Sequence, residues 1–384
     1  MKYRITCLTP TLVGDGQKLS PIDYMVWKDH VNVLDQKRIF KLLAKGPRLD
    51  GYLAQVKKAE KLDFASWGGF AQNFAGRRIP FENAALTPLW NRQRAELLFI
   101  PTFASGPAGA YLPASALRGA LHTALLSSRW TEHVWKHVQD QFNGDRIPRR
   151  PAEPAEDTAI GLGGHSRMRS FSVGDSATVS NTVMRVYLVR TSTLVARGQG
   201  KLELGWKTVG RGSVEPKRIE ESAPMFCEMA EPGSVFEGNW TESGFFSQAE
   251  TLRALRWKDA VHSSTLTKAA NEYAAQLLGV HRRYAAAAGM GALDASLQSL
   301  EGWLERVKDR QDACLLPMGW GTGFLAKTAQ PDTEQENYRK LLRVLPYYSR
   351  AIQTGLPFPK TRRVVFLNEK PAALPGWVLL EIAH

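Results

Sequence analysis

Cysteine is scarce in this sequence, and its scarcity excludes two kinds of small, cross-linked fold. The 384 residues include only Cys7, Cys227 and Cys314, and no two of them form a CxxC pair. An odd, widely spaced set in a chain of this size argues against a disulfide framework and gives no zinc-binding pattern. We therefore expect a conventional hydrophobic core, with the cysteines as small residues inside it.

Acidic residues and long apolar runs are also in short supply. The chain has 37 Asp and Glu against 50 Lys and Arg, a formal net charge of +13. Such an excess favours a polyanionic partner, above all nucleic acid. No run of apolar residues is long enough to span a membrane, so we expect no membrane contact. The apolar stretch after Met1 is too short for a signal peptide, and a cytoplasmic protein is expected.

Length predicts two domains, and the pattern of elements predicts an α+β protein. Segments of strand and helix character alternate irregularly, which favours antiparallel sheets. Strands are predicted at 4–8, 24–27, 31–34, 96–103, 183–193, 234–240, 364–367 and 377–382. Helices are predicted at 36–44, 115–128, 131–142, 264–311 with a break at 289–291, and 334–342. Residues 143–180 and 201–218 read as long basic loops.

The first segment with chemical character is the run from Tyr111 to His122. A turn set by Pro113 leads into a helix with Ser115 as its predicted N-cap. Helix N-termini attract phosphate through their free N–H groups, Arg118 adds a cation, and Gly119 permits close approach of another backbone. An ordinary capped helix with a solvated arginine explains the same pattern.

The second such segment covers residues 317–328 and contains Gly319, Trp320, Gly321 and Gly323 before Lys327. Its glycine spacing matches neither a P-loop nor a dinucleotide-binding fingerprint. Bare backbone suits close contact with phosphate, and the tryptophan could stack on a base. The alternative is a tight turn whose aromatic residues belong to the core.

Catalytic patterns are sparse. The sequence has no Gly-x-Ser-x-Gly nucleophile motif. Asp15, Asp23 and Asp175 lie near turns, where an aspartate more often caps the turn than positions a metal. His122, beside Arg118 on the predicted helix, is a candidate general base without an evident partner.

Taken together, five segments resemble the RAMP superfamily of CRISPR proteins. They lie at residues 9–24, 111–119, 230–236, 319–328 and 358–362. Ala114 departs from the family pattern, which usually has glycine there. Within the superfamily the combination is most similar to the fifth-subunit family of type III-A (Csm) effector complexes.

The resemblance implies a specific architecture of two ferredoxin-like (RRM-type) RAMP domains. The first would cover residues 1–200, with a helical insertion at about 36–95 and a candidate thumb at about 143–180 for insertion into the crRNA–target duplex. The second would cover residues 201–384, with a helical segment and the glycine-rich loop.

The resemblance also implies a function. Such a subunit is non-catalytic, binds the 3′ region of the crRNA, caps that end of the complex and takes part in crRNA maturation. Implied partners are the crRNA, its target RNA, the neighbouring RAMP backbone and small subunits, and host nucleases; no cofactor or metal is expected. The alternative is a RAMP endoribonuclease that cuts pre-crRNA or target RNA through a metal-bound Asp23 or through His122.

The residues expected to contact RNA come from the two glycine-containing segments, the candidate thumb and the segment near residue 360. They are Ser115, Arg118, Gly119, Arg146, Arg149, Arg150, Arg167, Arg169, Gly319, Trp320, Gly321, Gly323, Lys327, Thr328, Lys360 and Arg362. Contacts of this kind go mainly to phosphates, so binding is expected to be independent of sequence and sensitive to salt.

Overall fold

A computed structural model describes residues 1–44, 46, 48–58, 62, 71–142, 149–197, 201–208 and 217–383. The predicted α+β class is confirmed. The strands in this part are β1 Lys2–Cys7, β2 Lys18–Leu19, β3 Tyr24–Trp27, β4 His30–Leu34, β5 Ala75–Pro80, β6 Ile100–Pro101, β7 Ser105–Gly106, β8 Gly109–Ala110, β9 Phe171–Ser176, β10 Met184–Ala196, β11 Leu202–Trp206, β12 Met225–Ala230, β13 Val235–Glu242, β14 Ala313–Pro317, β15 Thr361–Leu367, β16 Lys370–Ala373 and β17 Trp377–Ala383.

The helices connect and cover these strands. They are α1 Gln36–Leu43, α2 Arg48–Lys58, α3 Ala71–Phe74, α4 Leu86–Asn91, α5 Ala114–Ser128, α6 Glu132–Phe142, α7 Glu153–Ile160, α8 Ala249–Ala254, α9 Ser263–Ala288, α10 Gly291–Val307, α11 Glu336–Val344 and α12 Pro346–Gln353.

Two antiparallel sheets form the centre of the molecule. The first has the order β14-β17-β1-β13-β9, and the second has the order β11-β10-β15-β16 with β12 also paired to β10. In β1, Tyr3, Ile5 and Cys7 are buried while Lys2 and Arg4 are exposed, the alternation expected of a strand with one face on the core. The central place of β1 explains why its short apolar pattern was readable from the sequence.

Each large sheet takes strands from both sides of residue 200. Strand β1 pairs with β13 and β17, and β10 pairs with β11, β12 and β15. A single hydrophobic cluster also includes residues from both sheets. In both large sheets, therefore, strand pairings cross residue 200. Length suggested two units, but it carries no information on which strands pair.

The predicted helical insertion is a mixed substructure. Strands β3, β4 and β5 form a three-stranded sheet, and α1, α2 and α3 follow within the same stretch of chain. This unit has its own hydrophobic cluster, built on Met25, Leu34, Ile39, Leu43, Tyr52, Leu62 and Phe74. Arg77 on β5 joins the unit to β12 through an ion pair of 2.8 Å with Glu228, whose side chain is fully buried.

The long helical stretch after residue 263 is confirmed, including its break. Helix α9 ends at Gly289, which has φ of +63°, and the N–H of Met290 donates to the carbonyl of Ala285. This is a Schellman ending, which a glycine permits without steric penalty. Helix α10 then runs back along α9, and α9 also packs against α5 and β14.

Three sequence predictions fail locally. The strand expected at 96–103 is a 3₁₀ turn followed by the two-residue strand β6. The described part of the loop expected at 143–180 contains α7 and the sheet-edge strand β9, and the loop expected at 201–218 begins with β11. Arginine and glycine residues hid short amphipathic patterns in the last two cases, such as the buried face of Ala155, Ala159 and Ile160 on α7.

Candidate nucleic-acid interface

The two glycine-containing segments, distant in sequence, line one cleft of about 650 Å³. One wall is α5, another is the segment around residue 319, and the floor comes from the chain after β1. Its lining residues are Leu12, Val13, Gly14, Gly16, Gln17, Lys18, Pro101, Thr102, Ser115, Ala116, Gly119, Ala120, Thr123, Pro317, Met318, Gly319, Trp320, Thr322, Ala326 and Lys327. The structure thus brings together Ser115, Gly119, Gly319, Trp320 and Lys327 from the predicted set.

Backbone hydrogen bonds fix the floor of the cleft between its neighbours. The carbonyl of Leu12 accepts from the N–H of Trp320 at 2.7 Å, and the carbonyl of Val13 accepts from the N–H of Ala104 at 2.9 Å. The segment after β1 is therefore held on both sides by main-chain contacts.

The glycines of the cleft and of the segment beside it fall into two groups. A Cβ on Gly319, where φ is +86°, would lie 2.3 Å from the carbonyl oxygen of Leu12, and one on Gly321, where φ is +90°, would lie 2.8 Å from Cγ of Pro375. These two glycines are needed for packing. A Cβ on Gly119 or Gly16 would meet nothing within 4 Å, so these two leave open space.

Helix α5 begins differently from the prediction. Its N-cap is Pro113, which makes no side-chain capping bond, and the N–H of Ala114 donates to Oδ1 of Asp175 at 2.7 Å. The predicted Ser115 cap is wrong because an aspartate from β9 takes that place. Ser115 instead lines the cleft. The side chains of α5 that line the cleft are small, so they project only a short way into it.

The cleft has a positive character. Lys18 and Lys327 are both exposed, and no Asp or Glu occurs among the described residues that line it. The ammonium of Lys18 lies 4.5 Å from the centre of the Phe99 ring. Sequence reasoning missed Lys18, although it falls within the N-terminal segment of the family resemblance.

Arg118 has a structural task. Its Nη1 donates to the carbonyl of Phe171 at 2.9 Å and its Nη2 donates to the carbonyl of Met168 at 2.7 Å. The guanidinium also lies 5.3 Å from the centre of the Phe171 ring. Arg118 therefore fastens α5 to the edge of the first sheet, and its contact with RNA stays a prediction.

Two arginines of the candidate thumb make contacts within the protein, and Arg167 attaches the thumb to a neighbouring segment. Arg167 donates to the carbonyl of Asp259 at 2.8 Å and lies 5.1 Å from the Trp257 ring centre. Burial lowers the pKa of its guanidinium from the usual value. Arg169 donates to the carbonyl of Gly164 at 2.6 Å. Neither side chain lines the cleft.

The remaining thumb arginines have different surroundings. Arg149 and Arg150 are exposed, and Arg150 pairs with Glu153 at 2.7 Å. Both line a separate shallow groove near α6. Arg146 lies outside the described residues.

The C-terminal candidates lie away from the open cleft. Arg362 is 8% exposed and donates through Nε to Nδ1 of His281 at 3.1 Å. The core therefore encloses Arg362 and it does not line the open cleft, and its contact with RNA stays a prediction. Thr328 is 2.6 Å from the Tyr338 hydroxyl through its Oγ1, and Lys360 is half-buried just before β15.

The two candidate catalytic residues also lie outside the cleft lining. The carboxylate of Asp23 accepts from the N–H and the hydroxyl of Ser20 at 2.7 and 2.6 Å, the geometry of a turn cap. His122 is half-buried, and burial lowers the pKa of its imidazole. Across the described ranges, no group of three or more His, Cys, Asp and Glu side chains is placed to hold a metal ion.

Among known proteins, no family model and no curated protein matches the chain. Among solved structures, it matches a chain of a Csm–crRNA–target RNA ternary complex of a type III-A CRISPR-Cas system with a TM-score of 0.64 and 19% identity, covering 99% of this chain and 100% of that chain. It matches Csm5 of T. onnurineus with a TM-score of 0.63 and 18% identity, covering 98% and 99%.

These matches define the fold. The chain has the fold of a type III-A Csm protein over essentially its whole length, and Csm5 is the named example. The predicted resemblance is confirmed at this level. No helix in the described ranges combines the length and apolar character needed to cross a membrane.

Proposed function

We propose that the chain is the Csm5-type subunit of a type III-A effector complex and binds the 3′ region of the crRNA. The observation that carries the proposal is the cleft, where segments from three distant parts of the sequence converge on Lys18 and Lys327, neither of which forms an ion pair within the described residues. Its open glycines and small side chains leave room for an RNA backbone. The shared fold with a chain of a crRNA-containing complex supports the same conclusion.

The assembly around the subunit is part of the proposal. Its partners would be the crRNA, the target RNA paired with it, and the neighbouring backbone and small subunits, and the subunit would close the 3′ end of the complex. The two large sheets would correspond to two ferredoxin-like RAMP domains that exchange strands. Participation in crRNA maturation would go through recruited nucleases in the cytoplasm.

We further propose that the subunit does not cut RNA itself. The carboxylate of Asp23 is engaged in a local turn, and neither Asp23 nor His122 is among the residues that line the cleft. A general base must come within hydrogen-bond reach of the proton that it removes.

An end-labelled crRNA tests binding and cutting in one experiment. The purified chain, alone and within its reconstituted complex, is mixed with the RNA with and without Mg²⁺. A native gel reports binding, and a denaturing gel reports cleavage. The proposal predicts a shifted, intact RNA in both conditions, at least in the complex.

Two results would contradict the proposal. Discrete cleavage that Asp23→Ala or His122→Ala abolishes would make the protein a nuclease. Reconstituted complexes that protect the crRNA 3′ end equally well with and without the chain would remove its capping role.

A further inference from the structure

A second, smaller cavity lies on the opposite side of the glycine-containing segment from the cleft. It has a volume of about 240 Å³ and is lined by Thr191, His281, Gly321, Gly323, Arg362 and Arg363, with several apolar residues. Pro317, Thr322 and Ala326 line both the cavity and the cleft. A strand of RNA in the cleft would thus lie one segment away from the cavity.

The buried cation in this cavity lacks a counter-charge. Nη1 of Arg362 donates to the carbonyls of Pro359 and Thr361 at 2.6 and 2.9 Å, and Nε donates to His281. Within the described ranges, Nη2 has no protein acceptor and no carboxylate pairs with the guanidinium. The Tyr284 ring, whose centre is 4.4 Å from the guanidinium carbon, stabilises the charge in part but is not an ionic partner. A buried charge without an ionic partner is otherwise costly.

The neighbouring groups are also donors. His281 accepts at Nδ1, so its neutral ring carries the proton on Nε2. The Arg363 guanidinium lies 4.6 Å from the centre of the Trp320 ring, and no acidic side chain in the described part of the chain pairs with it. Burial lowers the pKa of Arg362 to about 10, which leaves it charged at neutral pH.

We propose that this cavity binds a phosphate group of an RNA strand, with Nη2 of Arg362 and the guanidinium of Arg363 as donors. Two arginines and a donor imidazole without an acid select an anion, and the planar guanidinium suits phosphate oxygens. The inference extends the proposed function, since it adds a defined phosphate site beside the cleft. The phosphate is either internal to the strand or at its 3′ terminus.

Inorganic phosphate tests the cavity without RNA. Thermal unfolding of the full chain is compared in phosphate and in chloride at equal ionic strength for the wild type, Arg363→Gln and Arg306→Gln. Arg306 is a matched control, because it is exposed and lies 4.9 Å from the Trp303 ring, away from the cavity. Arg362→Lys, which keeps the charge but loses the fork of donors, is a second variant.

The expected result is a phosphate-dependent rise in Tm of about 2 °C or more in the wild type and in Arg306→Gln. The rise should fall by more than half in Arg363→Gln and in Arg362→Lys. An equal rise in all four proteins, or none in the wild type, would overturn the proposal.

Two synthetic RNAs of one sequence, ending in a 3′-phosphate or a 3′-hydroxyl, identify the source of the phosphate. A loss of about tenfold in affinity for both RNAs on Arg363→Gln indicates an internal phosphate, and a loss for the 3′-phosphate RNA alone indicates a terminal one. No loss for either would overturn the role in RNA binding. If the wild type binds neither RNA, even in its assembled complex, the proposed function fails. The thermal unfolding experiment in phosphate and chloride tests phosphate binding in the cavity independently of that result.

Discussion

At the scale of single residues, the glycines around residue 319 have a different role from the one that their spacing suggested. The spacing around residue 319 suggested bare backbone for phosphate contact. The structure uses Gly319 and Gly321 for close packing against Leu12 and Pro375, and leaves the open space at Gly119 and Gly16. The sequence could not separate these roles, because both need only the absence of a Cβ.

A pair of alanine substitutions separates them experimentally. Gly319→Ala should lower the free energy of unfolding by about 2 kcal/mol or more, since it adds both a clash and a strained positive φ. Gly119→Ala should raise it by about 0.5–1 kcal/mol, because the site is helical and has room. Chemical denaturation of both variants measures the difference. Equal effects of the two substitutions would contradict this division.

His281 makes stability depend on pH. Burial, reinforced by the nearby Arg362, lowers the pKa of His281 well below its ordinary value, so the folded protein holds it neutral. Below about pH 6.5 the unfolded chain takes up a proton that the folded chain refuses. This part of the stability is present above that pH and is lost as the pH falls, by up to about 1.4 kcal/mol per pH unit.

The matched substitutions are His281→Asn, whose amide oxygen can replace Nδ1 as acceptor, and His133→Asn at an exposed position. The difference between the denaturation midpoints at pH 7 and pH 5 should be smaller in His281→Asn than in the wild type. In His133→Asn it should be the same as in the wild type. An unchanged difference between the two pH values in His281→Asn would contradict the assignment.

At the scale of elements, helices and strands were predicted correctly where the burial of one face sets the pattern of apolar residues in the sequence. The strands β3 and β4, the helix α5 and the break after α9 were all predicted and are confirmed. Strands β9 and β14 were missed. Strand β14 is buried along its whole length, so it shows no alternation, and β9 is an edge strand that includes Gly174 and polar residues.

The cap of α5 gives a prediction at this scale. Asp175 accepts from the first N–H of the helix across 61 residues of sequence, which no local pattern could reveal. Asp175→Ala should lower the free energy of unfolding by about 1 kcal/mol. Ser115→Ala should change it by less than about 0.5 kcal/mol, because Ser115 does not cap the helix. A larger loss for Ser115→Ala than for Asp175→Ala, measured by urea denaturation, would reverse the assignment.

At the scale of the whole molecule, the order of motifs along the chain was recoverable and their arrangement was not. Five short segments gave the family resemblance, and the fold comparison agrees with it over the full length. The pairing of β1 with β17 joins the two ends of the sequence, and its pairing with β13 crosses residue 200. Length and composition encode neither contact.

The net charge of the chain can be interpreted only when the positions of its charged residues are known. The net charge of +13 suggested nucleic acid, yet several of the predicted arginines hold segments of the protein together. The two lysines of the cleft are a small part of the total. Their value for binding comes from position, next to open backbone and away from carboxylates.

The most direct test of the central claim is the salt dependence of crRNA binding in the assembled complex. Lys18→Gln with Lys327→Gln is compared with Lys37→Gln and Lys268→Gln, two exposed lysines outside the cleft with the same change of charge. If the cleft holds the RNA, the cleft pair should weaken binding and reduce the slope of log affinity against log salt by about 1.4, the value for two phosphate contacts on a single strand. The control pair should leave the slope nearly unchanged. Equal slopes in both double variants would mean that the RNA lies elsewhere.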